Sequence, residues 1–356
     1  MVKAVTIRPE PRAKVNGRKG TLVRGWQNAI EWQRSLAKNL EVLHESDGGG
    51  DPRDRGGAGL RVGGHRHGIG ASQDRVPRPL RTQIALRFAA PLLGAFLVGG
   101  CAYWGEKQGE LIFRPSKDAW WGFNGAGHAH DEHWIPVGAD GQKLHAWWVK
   151  ADDPNAPVIL YLHGARWNLT GSVTRVDRWR KLGFNVFAID YRGFGQSSDL
   201  VPSEASSYED AEAAWEYLGR LAPGKQRLIV GHSLGGVIAT ELAVRHPEAA
   251  GLVLEATLTS VSDMVANTTW SFLPVDLVLT QRFDALKRIP EVKVPLMIVH
   301  GTRDTVVPFA MGEKLYAAAT APKQFVRVEG GSHHNLSAVA FDQYRAVMAQ
   351  LFKLKS

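Results

Sequence analysis

A serine at the end of an apolar run is the first residue whose surroundings point to chemistry. The stretch GHSLGG, residues 231–236, follows RLIV and places Ser233 between two glycines. If a strand turns sharply into a helix at this serine, its neighbours must be small, and Gly231 and Gly235 meet that demand. The same turn would direct the backbone N–H of Leu234 at the atom that Ser233 attacks. Ser233 is therefore either a nucleophile or only a small residue in a tight turn.

A base and an acid at other strand ends would decide between these interpretations, because a serine hydroxyl is a poor nucleophile until its proton is removed. Asp304 lies in the loop after the apolar run PLMIVHG, and His333 lies in SHHN, directly after FVRVEGG. An imidazole can act as base and then as acid, while a carboxylate fixes its tautomer and stabilises the imidazolium. Serine, aspartate, histidine is one of the chain orders in which this triad occurs. We predict Ser233, Asp304 and His333 as the catalytic residues.

The elements that position these residues are short apolar runs alternating with amphipathic segments. Continuous apolar runs are typical of strands buried on both faces. The alternation predicts an α/β protein with a doubly wound, mostly parallel sheet and helices on both faces, in which chemistry gathers at the carboxyl ends of the strands. A strand pair around Asp140–Gly141 precedes the other elements. Strands are expected at 157–164, 185–195, 227–233, 251–257, 295–301 and 324–331, and helices at 172–182, 207–221, 234–246, 308–319 and 338–353.

Four blocks of sequence, LYLHG, DYRGFGQS, GHSLGG and HGTRD, occur in this order between residues 160 and 304. Through them the chain resembles the α/β-hydrolases over about residues 130–350. It is most similar to the membrane-associated branch that includes BEM46-like proteins and overlaps the serine aminopeptidase-type (S33-like) hydrolases. The resemblance implies the α/β-hydrolase sheet and a small helical cap, which would occupy about residues 258–293.

The resemblance also implies an oxyanion hole and bears on the choice of base. In this family the loop after the first HG supplies a second backbone donor beside that of Leu234, and the matching residue is Ala165 or Arg166. Where the family has G-x-G-H, this chain has GGSHH, so two histidines are available. Alignment of the glycines favours His333 as the base over His334.

These residues predict a serine hydrolase, carboxylesterase- or lipase-like, that cleaves carboxylic ester or thioester bonds through an acyl-enzyme. Two alternatives remain: a serine peptidase or aminopeptidase on the same fold, and a non-catalytic, membrane-tethered binding protein. No metal or organic cofactor is implied, since the triad and the oxyanion donors suffice. The apolar residues of the expected cap favour a small ester or lipid-like substrate.

Other groups of polar and aromatic side chains are interpreted as structural. The stretch GHAHDEH, with histidines at 128, 130 and 133, lacks the spacing that would focus ligands, so a solvated loop is favoured over a metal site. Asp190 and Arg192 in DYRGFGQS are expected to hold loops rather than to take part in catalysis. Four tryptophans are expected to pack in the core or at its rim: Trp147, Trp148, Trp167 and Trp179.

The charge of the chain is concentrated before the predicted fold. Residues 1–80 hold 15 of the 43 Lys and Arg residues but only 8 of the 35 Asp and Glu residues, which leaves residues 81–356 nearly neutral. A nearly neutral domain does not offer the basic groove that nucleic-acid binding requires. Residues 1–80 are rich in Gly and Arg, and we expect them to be disordered or an over-extended gene model.

Residues 81–105 have the pattern of a targeting or anchoring segment. Arg81 and Arg87 precede an uncharged run from Phe88 to Gly105, and the run contains LVGGC, in which Cys101 is the only cysteine of the chain. A basic start, a short apolar stretch and small residues before a cleavage site are typical of a secretory signal. LVGGC resembles a bacterial lipobox, so Cys101 is a lipidation candidate. An uncleaved anchor, a buried helix or a cleaved soluble signal are the alternatives. We expect residues 106–356 to form the hydrolase domain, at a membrane of the bacterial cell envelope.

Overall fold

The computed structural model describes residues 103–121, 123, 129–138, 140–267 and 278–353. The expected N-terminal extension and nearly all of the expected anchor, including Cys101, lie outside these residues, as does the middle of the expected cap. Within the described part of the chain, no helix combines the length and the apolar character needed to span a membrane.

Eight strands form one sheet, in the order β1-β2-β4-β3-β5-β6-β7-β8. β1 pairs antiparallel with β2 and β2 antiparallel with β4, whereas every other neighbouring pair is parallel. The expected mostly parallel sheet is thereby confirmed. The strands are β1 Asp131–Val137, β2 Gln142–Val149, β3 Val158–Leu162, β4 Asn185–Ile189, β5 Arg227–His232, β6 Gly251–Glu255, β7 Leu296–Gly301 and β8 Lys323–Val328.

Helices cover both faces of the sheet because its central strands are apolar on both sides. Along β3, residues 158, 160 and 162 enter one core cluster, which they share with the helices at 204–221, 234–245 and 309–318. Residues 159 and 161 enter a second cluster with the helices at 169–181 and 341–351. Residues 103–113 are also helical. The remaining helices are α1 Leu169–Lys181, α2 Glu204–Leu221, α3 Leu234–Arg245, α4 Val261–Ala266, α5 Ala285–Arg288, α6 Phe309–Ala318, α7 Leu336–Val339 and α8 Phe341–Leu351.

Local sequence explains where the helices near the site begin. Asn168 caps α1 by accepting the N–H of Thr170, and Ser203 forms a reciprocal capping box with Ser206 at the start of α2. The helix expected at 338–353 is in fact two helices, which meet at Ala340. The described part of the cap region contains α4, α5 and a 3₁₀ turn at Ile289–Glu291, in keeping with a small helical cap.

Candidate active site

Ser233 stands in a strained turn between β5 and α3. Its φ of 55° and ψ of −121° lie in a region that residues with a side chain rarely adopt. The turn is possible because its glycines leave room: a Cβ on Gly231 would lie 2.3 Å from the carbonyl oxygen of Gly235, and one on Gly235 would lie 2.2 Å from that of Leu162. The small neighbours predicted from the sequence are therefore sterically required. The strained serine is held at the carboxyl end of β5.

Asp304 and His333 meet beyond the ends of β7 and β8. Nδ1 of His333 lies 2.8 Å from Oδ2 of Asp304, and both side chains are almost completely buried. The other oxygen, Oδ1, accepts the backbone N–H groups of Val306 and Val307 at 2.8 and 2.9 Å. The two carboxylate oxygens thus have separate tasks, since one fixes the loop and the other faces the imidazole.

The environment of Asp304 keeps it ionised. Burial would raise the pKa of this carboxyl, but hydrogen bonds from His300 and His333 outweigh burial and hold the pKa well below its ordinary value. His300 is fully buried, with Nε2 3.5 Å from Oδ2 of Asp304 and 3.0 Å from the carbonyl oxygen of Val307. An ionised Asp304 can therefore stabilise a positive charge on His333.

His334, the alternative base, has different surroundings. Its Nδ1 lies 3.5 Å from the guanidinium of Arg175. Burial, together with repulsion from the His333 ring whenever it is protonated and from the Arg175 guanidinium, lowers the pKa of His334. In the described part of the chain, no ion pair joins His334 to a carboxylate. Of the two histidines, His333 is the one that is paired with Asp304.

Ser233 is brought to the same edge of the sheet as this pair. The imidazole of His232, the residue before Ser233, lies with its ring centre 4.8 Å from that of His333. Gly164 adjoins Ser233 on another side, since a Cβ on that glycine would lie 3.0 Å from Cβ of the serine. Among the residues that the structure describes, no hydrogen bond joins the Ser233 hydroxyl to His333.

The backbone donors predicted for the oxyanion hole are available for a ligand. The N–H of Arg166 donates to the carbonyl oxygen of Phe113 at 2.7 Å, so it is already used. The N–H groups of Ala165 and Leu234 donate no hydrogen bond to any residue of the described ranges. Leu234 is the first residue of α3, whose first N–H groups have no partner within the helix. This favours Ala165 over Arg166 as the second donor.

Asp190 and Arg192 hold loops, as the sequence predicted. Asp190 is buried and accepts the N–H of Leu169 at 2.8 Å, which fixes the start of α1. Arg192 donates from Nε to Asp210 at 2.6 Å and from Nη1 to Gln142 at 2.8 Å. These contacts tie the loop after β4 to α2 and β2.

The histidine cluster and the tryptophans have packing contacts. His133 Nδ1 lies 3.0 Å from the Tyr217 hydroxyl, and the His130 ring lies 4.4 Å from that of Trp147, whereas His128 lies outside the described residues. Within the described ranges, no group of three or more His, Cys, Asp and Glu side chains could hold a metal ion. Trp147 and Trp179 are buried, Trp148 is half-buried, and Trp167 is exposed at the rim.

Three residues that contact the Asp304–His333 pair were given no role by the sequence analysis, namely His300, His232 and Arg175. His300 precedes Asp304 in the HGTRD block, so its position in a recognised motif was an available signal. Arg175 lies in α1 and reaches the loop of His333, which is 158 residues further along the chain. No local pattern indicates such a contact.

Comparison with known proteins adds three findings. Residues 153–276 match the sequence model of a family described as serine aminopeptidase, S33. WAV2, an α/β-hydrolase domain-containing protein of Arabidopsis thaliana, is 31% identical over 224 residues, which span 57% of this chain and 72% of the relative. ABHD12 of Danio rerio, a lysophosphatidylserine lipase, is 32% identical over 215 residues, which span 54% of this chain and 55% of that protein.

A solved structure has the same fold. An esterase from Pyrococcus furiosus superposes with a TM-score of 0.55 at 19% identity, and the match covers 67% of this chain and 97% of the esterase. Together with the eight-stranded sheet and the family match, this defines the class of the protein as a hydrolase of the α/β type. The chain belongs to the α/β-hydrolase family, because it is 31% identical to WAV2 and covers 72% of that relative.

Proposed function

We propose that the protein is a serine hydrolase that cleaves carboxylic ester or thioester bonds through an acyl-enzyme on Ser233. The observation that carries the proposal is the 2.8 Å contact between His333 and Asp304, at the edge of the sheet where Ser233 occupies its strained turn. A buried, ionised acid that orients an imidazole beside a half-buried serine in a sharp turn is the arrangement that activates a hydroxyl.

In the proposed reaction, Ser233 Oγ attacks the acyl carbonyl carbon while its proton passes to Nε2 of His333. The N–H groups of Ala165 and Leu234 stabilise the oxyanion of the tetrahedral intermediate. The carbon–oxygen or carbon–sulfur bond then breaks, and the leaving alcohol or thiol takes the proton from His333. Water attacks the acyl-enzyme by the same route, which releases the carboxylic acid and restores the Ser233 hydroxyl. Asp304 stays ionised and stabilises the imidazolium in both halves.

Ester cleavage is preferred over amide cleavage on two grounds. The region between β6 and β7 contains described helices of only 6 and 4 residues, and its described residues, 256–267 and 278–295, form no clamp for a peptide terminus. The relative from Danio rerio is named as a lipase, which supports a lipid-like ester as the substrate. The family description, serine aminopeptidase, keeps a peptidase as the second candidate. The third candidate, a binding protein without catalysis, is disfavoured because Ser233, Asp304 and His333 are all present.

Covalent labelling tests the proposal. A fluorophosphonate probe is expected to modify Ser233 in the folded protein and to leave Ser233→Ala unlabelled. A panel of p-nitrophenyl esters compared with aminoacyl p-nitroanilides then separates esterase from peptidase activity. A folded wild-type protein that takes no label would favour the binding protein.

Single substitutions of the two adjacent histidines test the choice of base. His333→Ala is expected to lose almost all labelling and ester hydrolysis, because the neighbouring His334 faces Arg175 and is not paired with Asp304. His334→Ala serves as the matched control and is expected to keep most of the activity. A fully active His333→Ala protein would exclude His333 as the base.

We also propose that residues 81–105 hold the enzyme at a bacterial membrane, with Cys101 as the lipidated residue. The proposal is supported by Arg81 and Arg87 before the uncharged run, and by the small residues that precede the cysteine. Cells fed an alkyne fatty acid are expected to label the wild-type protein and not Cys101→Ser. A wild-type protein that takes no fatty acid and fractionates away from membranes would refute it.

A further inference from the structure

We propose that Arg175 and His232 position the catalytic imidazole by clamping the backbone carbonyl oxygen of His333 between two donors. The inference deepens the proposed function and rests on it. Arg175 comes from α1, His232 from the end of β5, and His333 from the loop after β8, so the clamp joins three elements that are distant in sequence.

The contacts converge on one atom. Nη2 of Arg175 lies 3.2 Å from the carbonyl oxygen of His333, and Nε2 of His232 lies 2.9 Å from the same oxygen. A carbonyl oxygen has two lone pairs and can accept both bonds. The peptide that follows His333 is therefore held from two sides, while the imidazole of the same residue is held at Nδ1 by Asp304.

The protonation state of His232 makes it a donor here. Burial, together with repulsion from the Arg175 guanidinium and from the His333 ring whenever it is protonated, lowers the pKa of His232 well below its ordinary value, so the ring is neutral. A neutral ring that faces a carbonyl oxygen with Nε2 must carry its proton on that nitrogen. Nε2 then cannot accept from Arg175, although the two nitrogens lie 3.1 Å apart. The N–H of Arg175 is thus directed to the carbonyl oxygen.

The neutrality of His232 also suits the reaction. Its ring centre lies 4.8 Å from that of His333, so a charged His232 would oppose the imidazolium that forms during catalysis. The titratable and charged groups around His333 are of both signs, and they come from β5, β7, α1 and the loops after β7 and β8: Asp304, His300, His232, Arg175 and His334.

Arg175 is not accounted for by an ion pair. In the described part of the chain, no carboxylate lies within ion-pair distance of its guanidinium, although the side chain is half-buried. A neighbour on the same helix, Arg180, differs in this respect, because it pairs with Asp152 at 3.0 Å and lies away from the site. Of the two acceptors that Nη2 of Arg175 reaches in the loop after β8, the carbonyl oxygen of His333 at 3.2 Å is closer than Nδ1 of His334 at 3.5 Å, so we assign Arg175 to holding that carbonyl.

The test compares Arg175→Met and Arg175→Lys with the control Arg180→Met. Methionine keeps an unbranched apolar stem but removes the donor and the charge, whereas lysine restores one donor. Arg175→Met is expected to lower kcat for a p-nitrophenyl ester by roughly tenfold to a hundredfold, as for a misplaced catalytic group. Its KM is expected to stay within about twofold, because Arg175 positions the base rather than the substrate. Arg175→Lys is expected to recover part of kcat, and Arg180→Met to behave as wild type.

A second readout does not depend on activity. The proton between His333 and Asp304 is expected to give a downfield NMR resonance, assigned by its absence from Asp304→Asn. In Arg175→Met that resonance is expected to broaden through faster exchange with water, and in Arg180→Met to remain sharp. An unchanged resonance in a folded Arg175→Met protein overturns the clamp, whether or not the protein is a hydrolase. Absence of fluorophosphonate labelling in the wild type overturns the proposed function instead.

Discussion

Asp304→Asn removes one negative charge and changes which tautomer of His333 is stable. In the wild type, Oδ1 accepts two backbone N–H groups and Oδ2 faces His333. An asparagine keeps the two backbone bonds only if its carbonyl oxygen takes the place of Oδ1. Its NH₂ group must then face Nδ1 of His333, which can only accept that bond if its own proton moves to Nε2. The ring would present a proton to Ser233 where it should present a lone pair.

The expected loss follows from that inversion. A base locked in the wrong tautomer, with no carboxylate to stabilise its imidazolium, is expected to lower kcat by about 10⁴, or about 5 kcal/mol of transition-state stabilisation. KM should change little, since Asp304 is buried behind the imidazole. The assay is initial-rate hydrolysis of a p-nitrophenyl ester, with fluorophosphonate labelling as an independent measure. Asp342→Asn, on the exposed start of α8, is the matched control and is expected to be fully active.

The same substitution has a signature in stability. Because the pKa of Asp304 is lower in the folded chain than in the unfolded one, its ionised form stabilises the fold above about pH 4, and this contribution declines as the pH falls further. The difference in unfolding free energy between wild type and Asp304→Asn should therefore become smaller as the pH falls below about 4. A variant that keeps kcat within tenfold of wild type would refute the tautomer argument, and so would a stability difference that widens as the pH falls.

Three further substitutions test the packing around the site. Gly235→Ala would place a Cβ 2.2 Å from a carbonyl oxygen at the end of β3, so urea unfolding should show a loss of more than about 3 kcal/mol in the free energy of unfolding. Gly105→Ala, whose Cβ meets nothing closer than 3.8 Å, is the control and should be tolerated; equal effects would contradict the steric argument. Tyr344→Phe removes the 2.6 Å hydrogen bond that the tyrosine donates to buried Glu255, a carboxyl whose pKa is raised by burial, and should lower the free energy of unfolding by about 1–3 kcal/mol. The loss should be larger at pH 8 than at pH 4, because an ionised carboxylate depends more on the donor than a protonated one does; a loss independent of pH would rule out the ionised partner. Arg192→Lys loses the forked contacts to α2 and β2 and should cost about 2–4 kcal/mol in thermal unfolding; an unchanged melting temperature would show that the contacts contribute nothing.

The sheet could be predicted because each central strand has a recognisable pattern in its own stretch of sequence. Strands buried on both faces appear as continuous apolar runs, and each strand after the first pair begins within one residue of its expected start. The turn at Ser233 was predictable for a similar reason, since glycines at fixed offsets are a local demand of the backbone. The boundaries were less accurate where a polar residue begins a loop, as at Asp190, which ends the run expected to continue to residue 195.

The supporting contacts could not be predicted because they join residues that no local pattern links. Arg175 and the His333 carbonyl are 158 residues apart, and Tyr344 and Glu255 are 89 apart. Helical spacing indicates that Arg175 lies on α1, but not which loop packs over that face. The sequence left Ala165 and Arg166 open as the second oxyanion donor for the same reason. The choice depends on the hydrogen bond from Arg166 to the carbonyl oxygen of Phe113, which only the folded chain reveals.

The positive φ at Ser233 lowers the stability of the fold, but the proposed reaction needs a serine at this position. A non-glycine residue at φ 55° and ψ −121° costs about 1–3 kcal/mol, and Ser233→Gly would release much of it. That protein should melt at a higher temperature than its parent and yet be inert towards every ester. A laboratory selection for heat resistance alone would therefore favour replacement of this serine, and only a selection that also requires ester hydrolysis would retain it.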